Sequence, residues 1–239
     1  MAAKLSRAMG VIVTGGLSLL AMVAPAAASP VLDFLIFPNI GTYSYAGGTT
    51  PLVGTGIGVD SAVGITTPTP NPPVALTGTC GGFACLNLTT GNFLSTGPGP
   101  VSHFAAGGSI TLVGGAPSLG IPNGTTLFSG SFTQQVNLQI TGSQDRDIVT
   151  GIFLDTKLNA LAANWGLSGG ATPYSGLLSQ QFVVSGSPVP PTSFTSDLLL
   201  GGDVSNTPLL VAEPSAILLL GSGMVGLGVM ARRRRRRTP

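Results

Sequence analysis

Few side chains between residues 29 and 211 can do chemistry. The stretch holds one histidine, His103, one lysine, Lys157, one arginine, Arg146, seven aspartates and no glutamate. A hydrolytic triad would need His103 beside a serine and an oriented aspartate, a demanding arrangement for so thin an inventory; a satisfied or surface imidazole near a Pro/Gly turn is the simpler reading. Asp145 and Asp147 flank Arg146, and on an extended strand their carboxylates fall on one side about 7 Å apart in rise. Paired carboxylates at such spacing can cleave a glycosidic bond or ligate calcium. After Gly142-Ser143-Gln144, a polar turn with a local ion pair is the expected use. Cys80 and Cys85 enclose Gly81-Gly82-Phe83-Ala84. In an exported chain, which the termini below indicate, two such cysteines are expected to form a disulfide. Zinc wants four ligands, and His103 is the only other nitrogen or sulfur donor of the right kind. Tyr43, Tyr45 and Tyr174 are the candidate platforms for stacking on sugar rings, weighed against ordinary packing. The expected assignment is therefore no catalytic residue, no cofactor and no metal, with a carbohydrate-binding module as the alternative and a glycan hydrolase behind it.

The elements that must position these groups read as strands. Phe128, Phe132, Val136, Leu138 and Ile140 occupy even positions, while Ser129, Ser131, Thr133, Gln135, Asn137, Gln139 and Thr141 occupy odd ones. Period two implies one buried and one wet face. Shorter runs occur at Leu32–Phe37, Thr42–Tyr45, Leu52–Val59, Gly108–Val113, Ile148–Leu154, Gln181–Ser185 and Phe194–Leu200. Clusters such as Gly47-Gly48, Thr67 to Pro73, Gly97-Pro98-Gly99-Pro100 and Pro188 to Pro191 separate them as turns. The spacing predicts an all-β sandwich or jelly roll. One short helix is predicted, with Thr156 as cap, Leu158, Leu161, Ala162 and Trp165 on one face, and Gly166 closing it.

Composition narrows the classes further. The chain is 43% hydrophobic and only 8% charged, against about 25% charged in an ordinary soluble domain. Its formal net charge of +2 is misleading, because Lys4, Arg7 and Arg232 through Arg237 sit at the ends. Residues 29 to 211 carry seven Asp against one Lys and one Arg, hence −7 + 2 = −5. An acidic body has no electrostatic basis for binding nucleic acid.

Both ends read as addresses. Met1 to Ala28 has a basic leader, an apolar run and small residues at Ala26 and Ala28, the layout of a secretory signal cut after Ala28. Ser215 to Ala231 carries no charge and is followed by Arg232, Arg233, Arg234, Arg235, Arg236 and Arg237. As a helix rising 1.5 Å per residue it reaches roughly 25 Å, close to the ~30 Å hydrocarbon core once arginine stems snorkel. The arginines mark the cytoplasmic end, so the body faces outward. Gly221-Ser222-Gly223-Met224-Val225-Gly226 satisfies G-x-G-x-x-G, but it lacks the strand and the downstream acid that a dinucleotide fold requires.

Val211-Ala212-Glu213-Pro214-Ser215, the Leu/Gly-rich span and the terminal arginine cluster together resemble the PEP-CTERM sorting signal. Ala212 stands where that family carries its first proline. Tyr43 to Gly48, Pro51 to Ile57 and Gly107 to Leu112 are similar to a β-rich ectodomain that recurs among such proteins. The resemblance implies export in a Gram-negative bacterium that makes exopolysaccharide, and handling by the secretion translocon, signal peptidase and a membrane-embedded exosortase. It implies transient anchoring in the inner membrane, then a place in the envelope, at the surface or in the extracellular matrix. The expected organisation is a signal peptide at 1–28, a β-rich exported domain at 29–205, a linker with the sorting motif at 206–214, a transmembrane helix at 215–231 and a cytoplasmic tail at 232–239.

Overall fold

The computed structural model describes residues 28–141, 146–186 and 188–209. Among the described residues there are thirteen strands: β1 Val31–Ile36, β2 Thr42–Tyr45, β3 Pro51–Ile65, β4 Val74–Ala75, β5 Ala84–Thr96, β6 Val101–Phe104, β7 Gly107–Ala116, β8 Ile121–Phe132, β9 Val136–Gln139, β10 Asp147–Lys157, β11 Pro173–Val183, β12 Phe194–Thr195 and β13 Leu198–Pro208. One helix, α1 Asn159–Ala163, joins β10 to β11. Ala26, the sorting motif Val211–Ser215, the span 215–231 and Arg232–Arg237 lie outside the described residues, as does Asp145, while Ala28 is exposed. Among the described residues no helix is long and apolar enough to cross a membrane.

All strands join one antiparallel sheet, and its pairing returns on itself. The ring runs β3-β1-β13-β11-β10-β8-β7-β5 and back to β3. The long β3 closes it, pairing with β1 through residues 59–65 and with β5 through residues 51–59. The all-β expectation holds in the coarser form of one large antiparallel sheet; its ring leaves no open edge, while β4 and β12 each pair on one side only. Inward positions alternate strictly on the central strands. On β10, residues 147, 149, 151, 153, 155 and 157 are buried, and on β11 so are 174, 176, 178, 180 and 182.

The run from Phe128 to Thr141 keeps its predicted parity but divides into two strands. Phe128, Phe132, Val136, Leu138 and Ile140 are all buried, while Thr133–Gln135 bulge outward between β8 and β9. Both pieces pair with β10, and β6 carries the second piece across to the far end of β5. The final strand also continues through Pro208, so residues 206–208 belong to the sheet rather than to a linker.

The helix is shorter than its spacing predicts. Thr156 lies in β10 opposite Pro173, and Leu158 takes the cap position without a side-chain bond. Strand pairing on both sides of Thr156 outcompetes a cap worth about 1 kcal/mol. Leu161, Ala162 and Trp165 are buried as predicted, and Gly166 ends the segment at φ +69°. Trp165 plugs this end of the ring against Gly64, where an added Cβ would come within 2.3 Å of the indole.

Candidate functional site

Strand β10 delivers two charged residues into the apolar interior. Asp155 and Lys157 share its inward parity, and both side chains are fully buried. Lys157 Nζ donates to Asp155 Oδ2 and to Asn206 Oδ1, the latter at 2.8 Å. Asn206, on β13, is itself wholly buried, and its Nδ2 donates to the Val204 carbonyl at 3.1 Å. Three rings enclose the ammonium position, with centroids 4.4 Å away at Phe128, 5.0 Å at Tyr174 and 5.5 Å at Phe34. The second carboxylate oxygen of Asp155, Oδ1, is buried and has no hydrogen-bond partner among the described residues.

Burial dominates the electrostatics of this cluster. It pulls Lys157 down to about 8 against the opposing attraction of Asp155. It pushes Asp155 up against the attraction of Lys157. Both shifts act in the same sense, each disfavouring the charged form of its group. Tyr174, raised to about 12 by burial and then by Asp155, keeps its hydroxyl proton and donates to the Ser168 carbonyl.

Sequence reasoning counted Lys157 but did not place it, and passed over Asp155 and Asn206. A signal existed for the first two. Asp155 and Lys157 continue the parity of Val149 and Phe153, so the period-two rule already puts two charges on an apolar face. Asn206 carries no such mark, because its strand reads Asp203-Val204-Ser205-Asn206-Thr207, polar on both sides.

The predicted site residues fare differently. Tyr43, Tyr45 and Tyr174 are 0–1% exposed, which corrects their reading as sugar platforms: none has a free ring face. Tyr43 and Tyr45 do share a strand face, but it is the inner one. Tyr43 donates its hydroxyl to Gln180 Oε1 at 2.6 Å and stacks on Phe182; Tyr45 packs among Phe93, Phe104 and Phe194. Burial removes the ring faces that stacking would use.

Asp147 also points inward rather than toward an ion pair in a polar turn. Its carboxylate accepts the backbone amides of Thr141 at 3.0 Å and Val184 at 3.1 Å, while Arg146 is exposed. Burial raises its pKa even so, with the two amide bonds opposing the shift.

Cys80 and Cys85 form the expected disulfide, with Cα atoms 5.3 Å apart. Gly81 and Gly82 turn the chain between them at φ +62° and +93°, the mirror-image turn that suits a tight hairpin.

His103 lies on β6, with Nδ1 2.8 Å from Asn137 Oδ1. It borders an open hollow formed with Val101, Asn137, Gln139, Ile148 and Thr150, and no carboxylate lines it. Gly166-Leu167-Ser168-Gly169-Gly170 fits the G-x-S-x-G pattern, a match that sequence reasoning overlooked. It follows a helix, whereas a nucleophile elbow stands between a strand and a helix, and the Ser168 carbonyl is taken by Tyr174. Among the described residues no three His, Cys, Asp or Glu side chains converge as a metal site would require.

No protein family, curated protein or solved structure matches this chain.

Proposed function

We propose that the chain is an exported structural protein of the cell envelope or extracellular matrix, sorted by its C-terminal segment and not itself an enzyme. The observation that carries this reading is the succession of Glu213-Pro214, an uncharged span from Ser215 to Ala231 and six arginines. In this reading residues 215–231 cross the inner membrane as a helix, and Arg232–Arg237 remain in the cytoplasm. Glu213 and Pro214 then lie at the outer surface, where an exosortase-like membrane enzyme reaches a chain still extended before the helix. The Cys80–Cys85 disulfide is consistent with an oxidising compartment. The inward burial of all three tyrosines takes away the aromatic platform on which a glycan-binding role would rest. Replacing Glu213 and Pro214 with alanine is expected to leave an unprocessed, membrane-retained form in cell fractionation. Normal maturation of that variant would refute the sorting assignment.

A further inference from the structure

Taking an ammonium and a carboxylate out of water costs several kcal/mol each unless every remaining donor and acceptor finds a partner. The interior cluster does not meet that condition as an ion pair, because Asp155 Oδ1 stays unpartnered. It does hold the parts of an acyl-transfer reaction. An amine enclosed by three aromatic rings sits beside a carboxyl group able to take its proton and donates to a buried carboxamide. Lys157 Nζ is 2.8 Å from Asn206 Oδ1, and the carbonyl carbon lies one C=O bond of about 1.2 Å beyond that oxygen. Nucleophile and electrophile are thus direct neighbours, separated by one hydrogen bond and one C=O bond.

We propose that Lys157 and Asn206 become joined by an intramolecular isopeptide bond, with Asp155 as the proton-transfer residue and ammonia as the leaving group. The ion pair first neutralises, as the ammonium of Lys157 passes a proton to Asp155. The freed Nζ lone pair attacks Cγ of Asn206, and the carbonyl π electrons move onto Oδ1, which Asp155 stabilises by hydrogen bonding. Nζ then gives up a proton while Nδ2 gains one, Asp155 serving as the relay. The Cγ–Nδ2 bond breaks with its electron pair on nitrogen, and the C=O re-forms. One C–N bond is made and one is broken, nothing is oxidised or reduced, and no co-reactant is needed. The lowered pKa of Lys157 and the raised pKa of Asp155 favour the neutral amine and neutral acid with which the sequence begins. The product carries no charge on Nζ, and its new N–H gives Asp155 a donor.

The bond would brace the ring. Asn206 on β13 and Phe153 on β10 both stand opposite Gly176 of the intervening strand β11. A side chain at Gly176 would collide with the Phe153 ring, at 2.2 Å from its Cζ. The linkage therefore joins two strands that do not pair with each other. It is independent of export and sorting, since every participant lies within the sheet.

Peptide mapping of the purified full chain tests the assignment. After reduction and alkylation, trypsin is expected to leave the bond after Lys157 uncut. A second protease should release a branched peptide that contains Lys157 and Asn206 and is lighter than the sum of its parts by one ammonia. Asn206→Asp is expected to retain the linkage with loss of one water, and Asp155→Asn to abolish it. Should Asp155→Asn fail to fold, the wild-type map decides alone. Unmodified Lys157 and Asn206 peptides from folded wild-type protein would overturn the proposal. So would a single peptide holding Asp155 and Lys157 that is lighter by one water through an internal lactam, or full Lys157–Asn206 linkage in a folded Asp155→Asn variant.

Discussion

Two aspartates at the two ends of one strand meet opposite fates. Asp147 and Asp155 share the inward parity of β10, are 4% and 3% exposed, and have pKa values raised by burial. Asp147 satisfies both oxygens with the backbone amides of Thr141 and Val184, which ties two segments to the strand. Asp155 instead faces a lysine amine beside an asparagine carboxamide and leaves one oxygen unpartnered. A buried carboxylate whose neighbours are fixed amide donors is structural, whereas one whose neighbours are a nucleophile and an electrophile is placed for proton transfer. Burial alone does not distinguish them; the identity of the partners does.

The largest effect that would sharpen this contrast is expected from Asn206→Ala. A covalent link from 157 to 206 closes a loop of roughly fifty residues, worth about 4 kcal/mol by chain-entropy reasoning, and its loss should appear in the urea midpoint. A hydrogen bond to a charged group accounts for only about 1.5–3 kcal/mol, so a smaller shift would favour a plain ion pair. Next comes Asp147→Ala, which strands the buried amide of Val184 and the part-buried amide of Thr141 and should cost about 2–3 kcal/mol. Its Lys157–Asn206 linkage should remain complete by peptide mapping. Loss of that linkage would erase the division between a structural and a proton-transferring aspartate.

The smallest effect is a pH dependence, visible only where Lys157 remains an amine. Burial pulls the free Lys157 amine down to about 8 from its ordinary 10.5, and Asn206→Ala is expected to keep that lowered amine. Between those values the unfolded chain holds more protons, so stability rises with pH across that window. Asp155, raised only from the carboxylate range, and Tyr174, at about 12, are the other titratable groups facing it. Denaturation midpoints should climb from pH 8 toward pH 10 in the variant and show no such climb in wild type, whose nitrogen is acylated. Parallel profiles would place a free amine in both.

Local features of the fold were legible in the residues, and closure was not. Period two placed Phe128 through Ile140 correctly, and the Gly97–Pro100 cluster does turn β5 into β6, because alternation and turn chemistry are local properties. The return of β5 onto β3 depends on pairing Val59 with Ala84 and Pro51 with Asn92, which no local pattern encodes. Strand β5 itself escaped notice because Asn87, Thr89, Thr90 and Asn92 put polar groups on both of its faces. The tyrosines of β2 showed which residues share a face without showing that this face turns inward. Asp155 and Lys157 were readable as charges on an apolar stripe, but their partner Asn206 becomes visible only once β13 is set two strands away from β10.

The most direct measurement is the NMR spectrum of protein labelled with 15N at the lysine Nζ. The chain contains only Lys4 and Lys157, and signal-peptide removal would leave Lys157 alone. An Nζ resonance in the amide region, coupled to a single proton and unmoved by pH, is the predicted result. An amine or ammonium resonance that titrates near pH 8 would contradict it.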